Sequence, residues 1–271
     1  MRRLNRINTL KILLPVILIS GILSCKKDVC STTVAATPPP VTTTHDTTKN
    51  TVSNLNALPI NDYSTSGIYK GILCGRHSGN FELLVANGNN ITEAWVSYNN
   101  IKDTLFTQDL LGWQPGSPVY AMFENTSGTG IALTVTILQD NSLNITINVK
   151  AKDLSDNTDT SISTVALKEL SSLVVHTYEG TYTNSDSNST NEITPAGKFN
   201  FAIRETQLTG IMYKNTTMIP AYLSGNNGAG TWQTDSTKGN FLFGIESAYM
   251  TGSFSSGKNV VIGTYQTQQT L

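Results

Sequence analysis

The sequence predicts an all-β protein, an antiparallel up-and-down meander with a barrel-like form and two tandem β repeats; a β-sandwich is the alternative. From about residue 64, apolar and polar side chains alternate with a period of two. This pattern is typical of strands with one buried and one solvated face. The chain has no long helical periodicity, and we expect 12 to 14 strands.

The alternation is clearest in three segments. Apolar side chains occupy every second position of 131–137, 143–151 and 199–203. Short segments rich in Gly, Asn, Asp and Ser separate such runs, at 87–90, 127–130, 140–142, 225–228 and 255–257. These residues favour tight turns, so we expect consecutive strands to form hairpins. A succession of hairpins favours the barrel over the sandwich, because closure removes exposed sheet edges.

A weak internal repeat runs through the body of the chain. Four segments recur in the same order after about 100 residues: 67–71 resembles 176–181, 78–83 resembles 196–201, 93–98 resembles 208–213, and 127–131 resembles 237–241. We therefore expect a first β repeat at 63–172 and a second at 173–271.

The N-terminus has the layout of a secretory signal peptide. Arg2, Arg3, Arg6 and Lys11 precede an apolar run at 12–23. A run of about 12 residues is too short for a bilayer span, which needs about 20. Cations followed by a short apolar run and small residues predict a signal at 1–24.

Ile22-Leu23-Ser24-Cys25 resembles a bacterial lipobox, with Ile at a position where Leu is usual. The resemblance implies cleavage before Cys25 and attachment of lipid (palmitate among the acyl chains) to Cys25. The start at 24–28 is similar to that of Bacteroidetes-type lipoproteins. It implies anchoring to the outer membrane, on the periplasmic face or at the cell surface.

Residues 25–62 are predicted to form a lipidated, flexible tether. Nine of the 21 residues at 31–51 are Thr, three consecutive prolines lie among them, and no hydrophobic period is present. Asp46-Thr47-Thr48 resembles the O-glycosylation sites of the same bacterial group, which makes Thr47 a candidate for modification.

Two cysteines remain after Cys25. Cys30 and Cys74 form an even pair in an oxidising compartment, which makes a disulfide between them one possibility. The alternative is that Cys74 is a small buried residue and Cys30 is free.

The composition argues against several functions. The formal net charge is −1, and four of the 18 Lys and Arg lie in the predicted signal, so the remainder carries about −5. Nucleic acid binding requires clustered cations, so no nucleic acid partner is expected. Catalytic motifs are absent, the Cys74-x-x-His77 spacing has no second half-site for a metal, and we expect no enzyme activity, cofactor or metal. Solvated strand positions are predicted for the isolated carboxylates Glu82, Glu93, Glu124, Glu205 and Glu246.

Three tryptophans complete the set of candidate residues. Trp113 lies in a loop at 110–116, where it either covers the core or presents a platform for a ligand or partner. Trp95 and Trp232 lie in strand-like runs and are predicted to be core. Gly230-Thr231-Trp232 resembles the Gly-X-Trp of lipocalin-like β-barrels, over three residues only.

Together these features predict a cell-envelope lipoprotein that presents a non-enzymatic β module. The module is expected to bind a ligand, either an apolar small molecule or a glycan. One alternative is a structural or assembly lipoprotein that contacts another envelope protein. A third hypothesis, an envelope hydrolase, rests only on the scattered carboxylates.

Overall fold

The computed structural model describes residues 55–88, 92–140, 143–155, 161–184, 196–214, 220–227, 229–233, 238–246, 249–256 and 259–269. The described chain is all-β and antiparallel, which confirms the predicted fold class. It contains one 3₁₀ turn at Pro59–Asn61 and two consecutive groups of eight strands. No helix in the described ranges is long and apolar enough to cross a membrane.

The first group is an eight-stranded sheet in which each strand pairs with its sequence neighbours and β1 pairs with β8. The exception is β4 and β5, which have no ladder between them and are joined by an isolated bridge between Phe106 and Glu124. We call this group the first barrel. Its strands are β1 (Gly67–Cys74), β2 (Ser78–Val85), β3 (Glu93–Tyr98), β4 (Ile101–Phe106), β5 (Val119–Phe123), β6 (Ile131–Gln139), β7 (Ile145–Asp153) and β8 (Ser161–Lys168).

The second group is a closed barrel with the same sequential pairing, in which the last strand returns to pair with the first. We call this group the second barrel. Its strands are β9 (Val175–Asn184), β10 (Ala196–Arg204), β11 (Gln207–Lys214), β12 (Pro220–Asn226), β13 (Ala229–Gln233), β14 (Lys238–Glu246), β15 (Tyr249–Ser256) and β16 (Asn259–Gln269).

Strand register supports the internal repeat. Gly71 of β1 lies opposite Phe81 of β2, and Gly180 of β9 lies opposite Phe199 of β10. In both barrels the first strand therefore supplies a glycine and the second strand supplies the phenylalanine that faces it. A Cβ atom built at Gly71 would lie 2.5 Å from the Phe81 ring, so the ring occupies the space that the glycine leaves.

The strand register also corrects the match of 93–98 with 208–213 by one residue. Ala94 lies opposite Leu83 in the first barrel, and Gly210 lies opposite Phe201 in the second, so Ala94 corresponds to Gly210 and not to Thr209. A shift of one residue moves every side chain to the other face of a strand. The corrected alignment matches Val96 with Met212, which are both buried in their barrel interiors.

All five predicted turn segments lie at junctions between consecutive strands, but the described chain has 16 strands where 12 to 14 were expected. Two hairpins have two-residue turns without glycine, Asn99-Asn100 and Glu205-Thr206. Asn99, Asn100 and Glu205 have positive φ, which asparagine tolerates better than most residues. These turns lack the glycine on which the sequence analysis relied.

Residues 55–62 were assigned to the tether but pack against the first barrel. Leu55 and Ala57 contact Ile68, Leu84 and Trp95 on its outer face. Trp95, predicted to be core, is thus partly buried beneath this segment. Two apolar side chains and hydrogen bonds, such as the one from the Asn61 amide to Asn87 Oδ1 at 2.9 Å, hold this segment, which has no periodic pattern in the sequence.

The outer faces of β1, β2 and β8 pack against those of β9, β10 and β11. The buried Asn200 amide donates a hydrogen bond to the Leu73 carbonyl at 2.9 Å, and the Asn80 amide donates to the Thr177 hydroxyl at 3.3 Å. Such bonds satisfy polar groups that would otherwise be costly to bury. The apolar contacts between the barrels involve Ile72, Cys74, Val165, Leu167, Val175, Ala202, Ile211 and Tyr213.

Candidate functional site

The interior of the second barrel is the candidate site. Its described side chains form one buried apolar cluster that is rich in aromatic rings. Tyr178 and Phe201 are stacked with ring centroids 4.8 Å apart, and Phe199 lies 5.1 Å from Phe201. The cluster consists of Tyr178, Phe199, Phe201, Ile203, Leu208, Met212, Ala221, Leu223 and Trp232.

Trp232 on β13 brings an indole N–H, which is a polar group, into this interior. Its side chain is 2% exposed, as predicted for a core residue, and its indole nitrogen Nε1 has no hydrogen-bond partner. An indole N–H is a donor only, and buried Trp usually finds an acceptor. Leaving a buried donor unpaired costs about 1–3 kcal/mol. The second barrel therefore holds an unused donor that faces its own interior.

The wall that carries Trp232 contains two pairs of facing glycines, and each pair is flanked by larger residues, such as Phe241 opposite Gly230 and Phe243 opposite Gly252. Gly225 of β12 lies directly opposite Gly230 of β13, and Gly252 of β15 lies directly opposite Gly263 of β16. Register places both pairs on the face of the barrel wall that carries Trp232. Glycine inside a strand often marks a place where a ligand or another backbone approaches closely.

The first barrel provides the contrast. Its strands carry three glycines, Gly67, Gly71 and Gly79, and each lies opposite a residue with a side chain in both neighbouring strands where it is paired. Over the described strands, eight glycines share the interior register of the second barrel: Gly180, Gly197, Gly210, Gly225, Gly230, Gly239, Gly252 and Gly263. The interior of the first barrel is a continuous cluster of 19 buried residues, whereas only the backbone of residues 241–246, 249–256 and 259–269 is described in the second barrel.

A buried lysine, Lys168, lies at one end of the first barrel. The Lys168 ammonium donates hydrogen bonds to the carbonyl of Ser64 at 2.7 Å, to that of Ser66, and to the Tyr69 hydroxyl at 3.3 Å. It also lies 4.7 Å from the centroid of the Tyr69 ring. Burial lowers the pKa of Lys168 to about 8. The three hydrogen bonds satisfy the three donors of this ammonium within the protein.

A second group of charges lies outside the barrel interiors. Lys70 makes ion pairs with Glu169 at 2.9 Å and Glu82 at 3.7 Å, and Glu169 also accepts a hydrogen bond from the Val175 backbone N–H. Both carboxylates are buried, so the prediction of a solvated Glu82 is wrong. Burial raises the pKa of Glu82, and Lys70 opposes that rise. The arrangement joins β8 to β9 and is structural.

Glu179 on the outer face of β9 has the most unusual acidity of the described carboxylates. Burial raises its pKa to about 7, and the neighbouring Lys198 acts in the opposite direction. Lys198 also donates to the carbonyl of Arg76 in the turn between β1 and β2. This pair therefore lies where the two barrels meet.

The predicted cysteine and histidine candidates fall at the same junction. Cys74 is a free, fully buried thiol, and burial raises its pKa to about 12. The His77 ring instead packs edge-on against Tyr98, with centroids 5.8 Å apart. Cys25, Cys30 and Thr47 lie outside the described residues, so the lipid site, the glycosylation site and the Cys30–Cys74 pairing stay predictions. Such a disulfide would require Cys30 to reach a position between the barrels.

Trp113 lies in the loop between β4 and β5 and has features of both predicted roles. It packs against the interior cluster of the first barrel, and its indole N–H donates to the Pro118 carbonyl at 3.1 Å. The side chain is only partly buried. The Thr65 hydroxyl donates a hydrogen bond to the Ser117 carbonyl at 2.5 Å, which connects this loop to the segment that precedes β1.

Sequence reasoning missed Lys168, Glu169 and Glu179 because single charges in alternating strands are usually solvated. It identified Trp232 but could not show that its N–H is unpaired. The recurrence of glycine at 225, 230, 239, 252 and 263 was the available signal for the facing glycines. Gly225 was assigned to a turn and Gly230 to a Gly-X-Trp motif, and the recurrence itself was not used.

Comparison with known proteins adds no functional information. No protein-family model matches the chain, and no significant match was found among curated proteins or solved structures.

Proposed function

We propose that the protein is a cell-envelope lipoprotein, anchored through lipid on Cys25, whose second barrel binds a small apolar ligand without catalysis. The observation that carries this proposal is the contrast between the two interiors. In its described strands the first barrel has no glycine opposite another glycine, whereas the second has two such pairs in its wall and an unpaired indole N–H at Trp232.

From this contrast we assign a supporting role to the first barrel and ligand binding to the second. The first barrel, joined to the second by buried hydrogen bonds and ion pairs, acts as a rigid base. Aromatic and aliphatic side chains line the second interior, and small-molecule sites are typically apolar with a few polar groups. An apolar ligand is favoured over a glycan because the described cluster has only two polar groups, the Tyr178 hydroxyl and the Trp232 indole N–H.

A substitution that fills the second barrel tests the proposal. Ala221 is buried in its interior, so Ala221→Phe should abolish binding of an apolar probe such as 2-ethylnaphthalene, measured by isothermal titration calorimetry. Tyr222→Phe is the matched control, because Tyr222 is the next residue on the same strand and is exposed on its outer face. Circular dichroism should show both variants folded. Equal binding by wild type and Ala221→Phe would contradict a site in this interior.

Anchoring has a separate test. Cys25→Ala should prevent incorporation of radioactive palmitate and block signal cleavage before residue 25. Ser31→Ala, a small polar residue in the predicted tether, is the control and should be labelled normally. Labelling of Cys25→Ala at the wild-type level would rule out Cys25 as the lipid site.

A second candidate function is contact with another envelope protein, and β5 favours it. Tyr120 and Met122 are 62% and 43% exposed on the outer face of this strand, whose far edge meets β4 at a single bridge. Exposed apolar side chains beside a sheet edge suit strand addition by a partner. A photo-crosslinker at Tyr120 should then capture one defined envelope protein, whereas the same group at exposed Leu143 should not.

A further inference from the structure

We infer that the ligand of the second barrel carries a hydrogen-bond acceptor, and that Trp232 Nε1 donates to it. The ligand class is thus an apolar molecule with a carbonyl or similar acceptor oxygen, such as a ketone or ester, rather than a pure hydrocarbon. This inference rests on the proposed function and deepens it.

The first argument is the position of the donor. Trp232 pairs with Leu223 on β12 and with Gly239 on β14, so its ring is flanked by a leucine on one side and by a residue without a side chain on the other. Two residues earlier on the same face, Gly230 faces Gly225. On its other side Gly230 lies opposite Phe241, so the position without a side chain that borders the Trp232 ring is Gly239.

The second argument is energetic. A protein that needed only an apolar ring at this position could use Phe, as it does at Phe199 and Phe201 in the same cluster. Trp adds a donor that costs free energy when it is buried without a partner. A ligand acceptor that pairs with it removes this cost on binding. A ligand without an acceptor leaves the cost in place, so the site discriminates between the two.

The third argument concerns the other end of the ligand. The stacked Tyr178 and Phe201 rings, together with Met212 and Leu208, offer an apolar surface on the remaining wall. Aromatic rings favour offset stacking with other flat groups. The described polar groups of this interior are the Trp232 N–H and the Tyr178 hydroxyl. A compact apolar molecule with one acceptor fits such an interior better than a polyhydroxylated sugar.

A matched pair of probes tests the inference in the full chain. 2-Acetylnaphthalene has a carbonyl where 2-ethylnaphthalene has a methylene, and the two are similar in shape. Wild type should bind the ketone about tenfold more tightly, the effect of one buried hydrogen bond. Trp232→Phe should lose that preference for the ketone and change the affinity for 2-ethylnaphthalene less than twofold. Trp113→Phe, which removes an indole N–H from the first barrel, should behave as wild type.

A spectrum of the ¹⁵N-labelled indole groups provides a readout that needs no variant for binding itself. The Trp232 N–H signal, assigned by its loss in Trp232→Phe, should move downfield with the ketone and not with the hydrocarbon. If both probes bind equally and this signal stays in place, the acceptor inference is overturned and the proposed function stands. If neither probe binds, both the inference and the proposed function are overturned.

Discussion

In the first barrel, Gly71 faces Phe81, and in the second, Gly180 faces Phe199, so the two share a connectivity and the same opening pair of strands. They differ further along the chain. The described strands of the first barrel place no glycine opposite another glycine, whereas those of the second place Gly225 opposite Gly230 and Gly252 opposite Gly263. One topology therefore supports two interiors, and the side chains at alternate positions decide which results.

The largest expected effect tests whether the barrels are independent. Phe81→Ala removes a fully buried ring and should lower the free energy of unfolding by about 3–5 kcal/mol. Because buried hydrogen bonds join the barrels, the transition of the second barrel should shift too. Trp232 fluorescence reports on it in a Trp95→Phe/Trp113→Phe background.

The control for this experiment is Tyr120→Ala, a substitution at an exposed side chain of the first barrel. It should change the free energy of unfolding by less than about 0.5 kcal/mol. A Trp232 transition that stays in place in Phe81→Ala would show that the barrels unfold separately, and the contact between them would then be weak.

A pair of glycine substitutions compares the two interiors directly. In Gly71→Ala the new Cβ would lie 2.5 Å from the Phe81 ring and from the Val165 carbonyl, so overpacking should cost about 1–3 kcal/mol. Gly230 lies opposite a glycine on one side and Phe241 on the other, whereas Gly71 lies between Phe81 and Ala166, so Gly230→Ala should cost less than Gly71→Ala. Both are measured by denaturant unfolding. Equal destabilisation by the two would show that the second interior is as full as the first.

The smallest expected effect lies at the junction of the barrels and depends on pH. Burial raises the pKa of Glu179 to about 7 from an ordinary value of 4.5. The native state therefore binds a proton that the unfolded state releases between pH 4.5 and 7. The stability that Glu179 contributes is present below pH 4.5 and is lost as the pH rises through 7.

Glu179→Gln should consequently be more stable than wild type at pH 8 and similar to it at pH 4.5. Allowing for partial exposure of the side chain, the gain at pH 8 should be about 1 kcal/mol. Thermal unfolding at the two pH values measures it, and Glu205→Gln at an exposed turn serves as the control. A variant that is less stable than wild type at pH 8 would show that attraction between Glu179 and Lys198 outweighs burial.

Much of the fold could be predicted, and the errors have physical causes. Alternating side chains and turn residues predicted the antiparallel meander, because both depend on neighbours within a few positions. The strand count was low because the turns Asn99-Asn100 and Glu205-Thr206 lack glycine. The alignment of Ala94 was one residue out because alternation alone does not say which strand residues lie opposite each other.

The candidate site depended more heavily on tertiary structure. The sequence by itself determined the β class and the buried character of Trp232, and its predictions of a lipobox-like leader and of two repeats stay predictions. Only the folded chain decided that Gly225 faces Gly230, that Trp232 Nε1 has no acceptor, and that Lys70 lies between Glu82 and Glu169. Each of these is a relation between residues on different strands. A period of two identifies the two faces of a strand, but it does not say which face is enclosed or which residue of the neighbouring strand lies opposite.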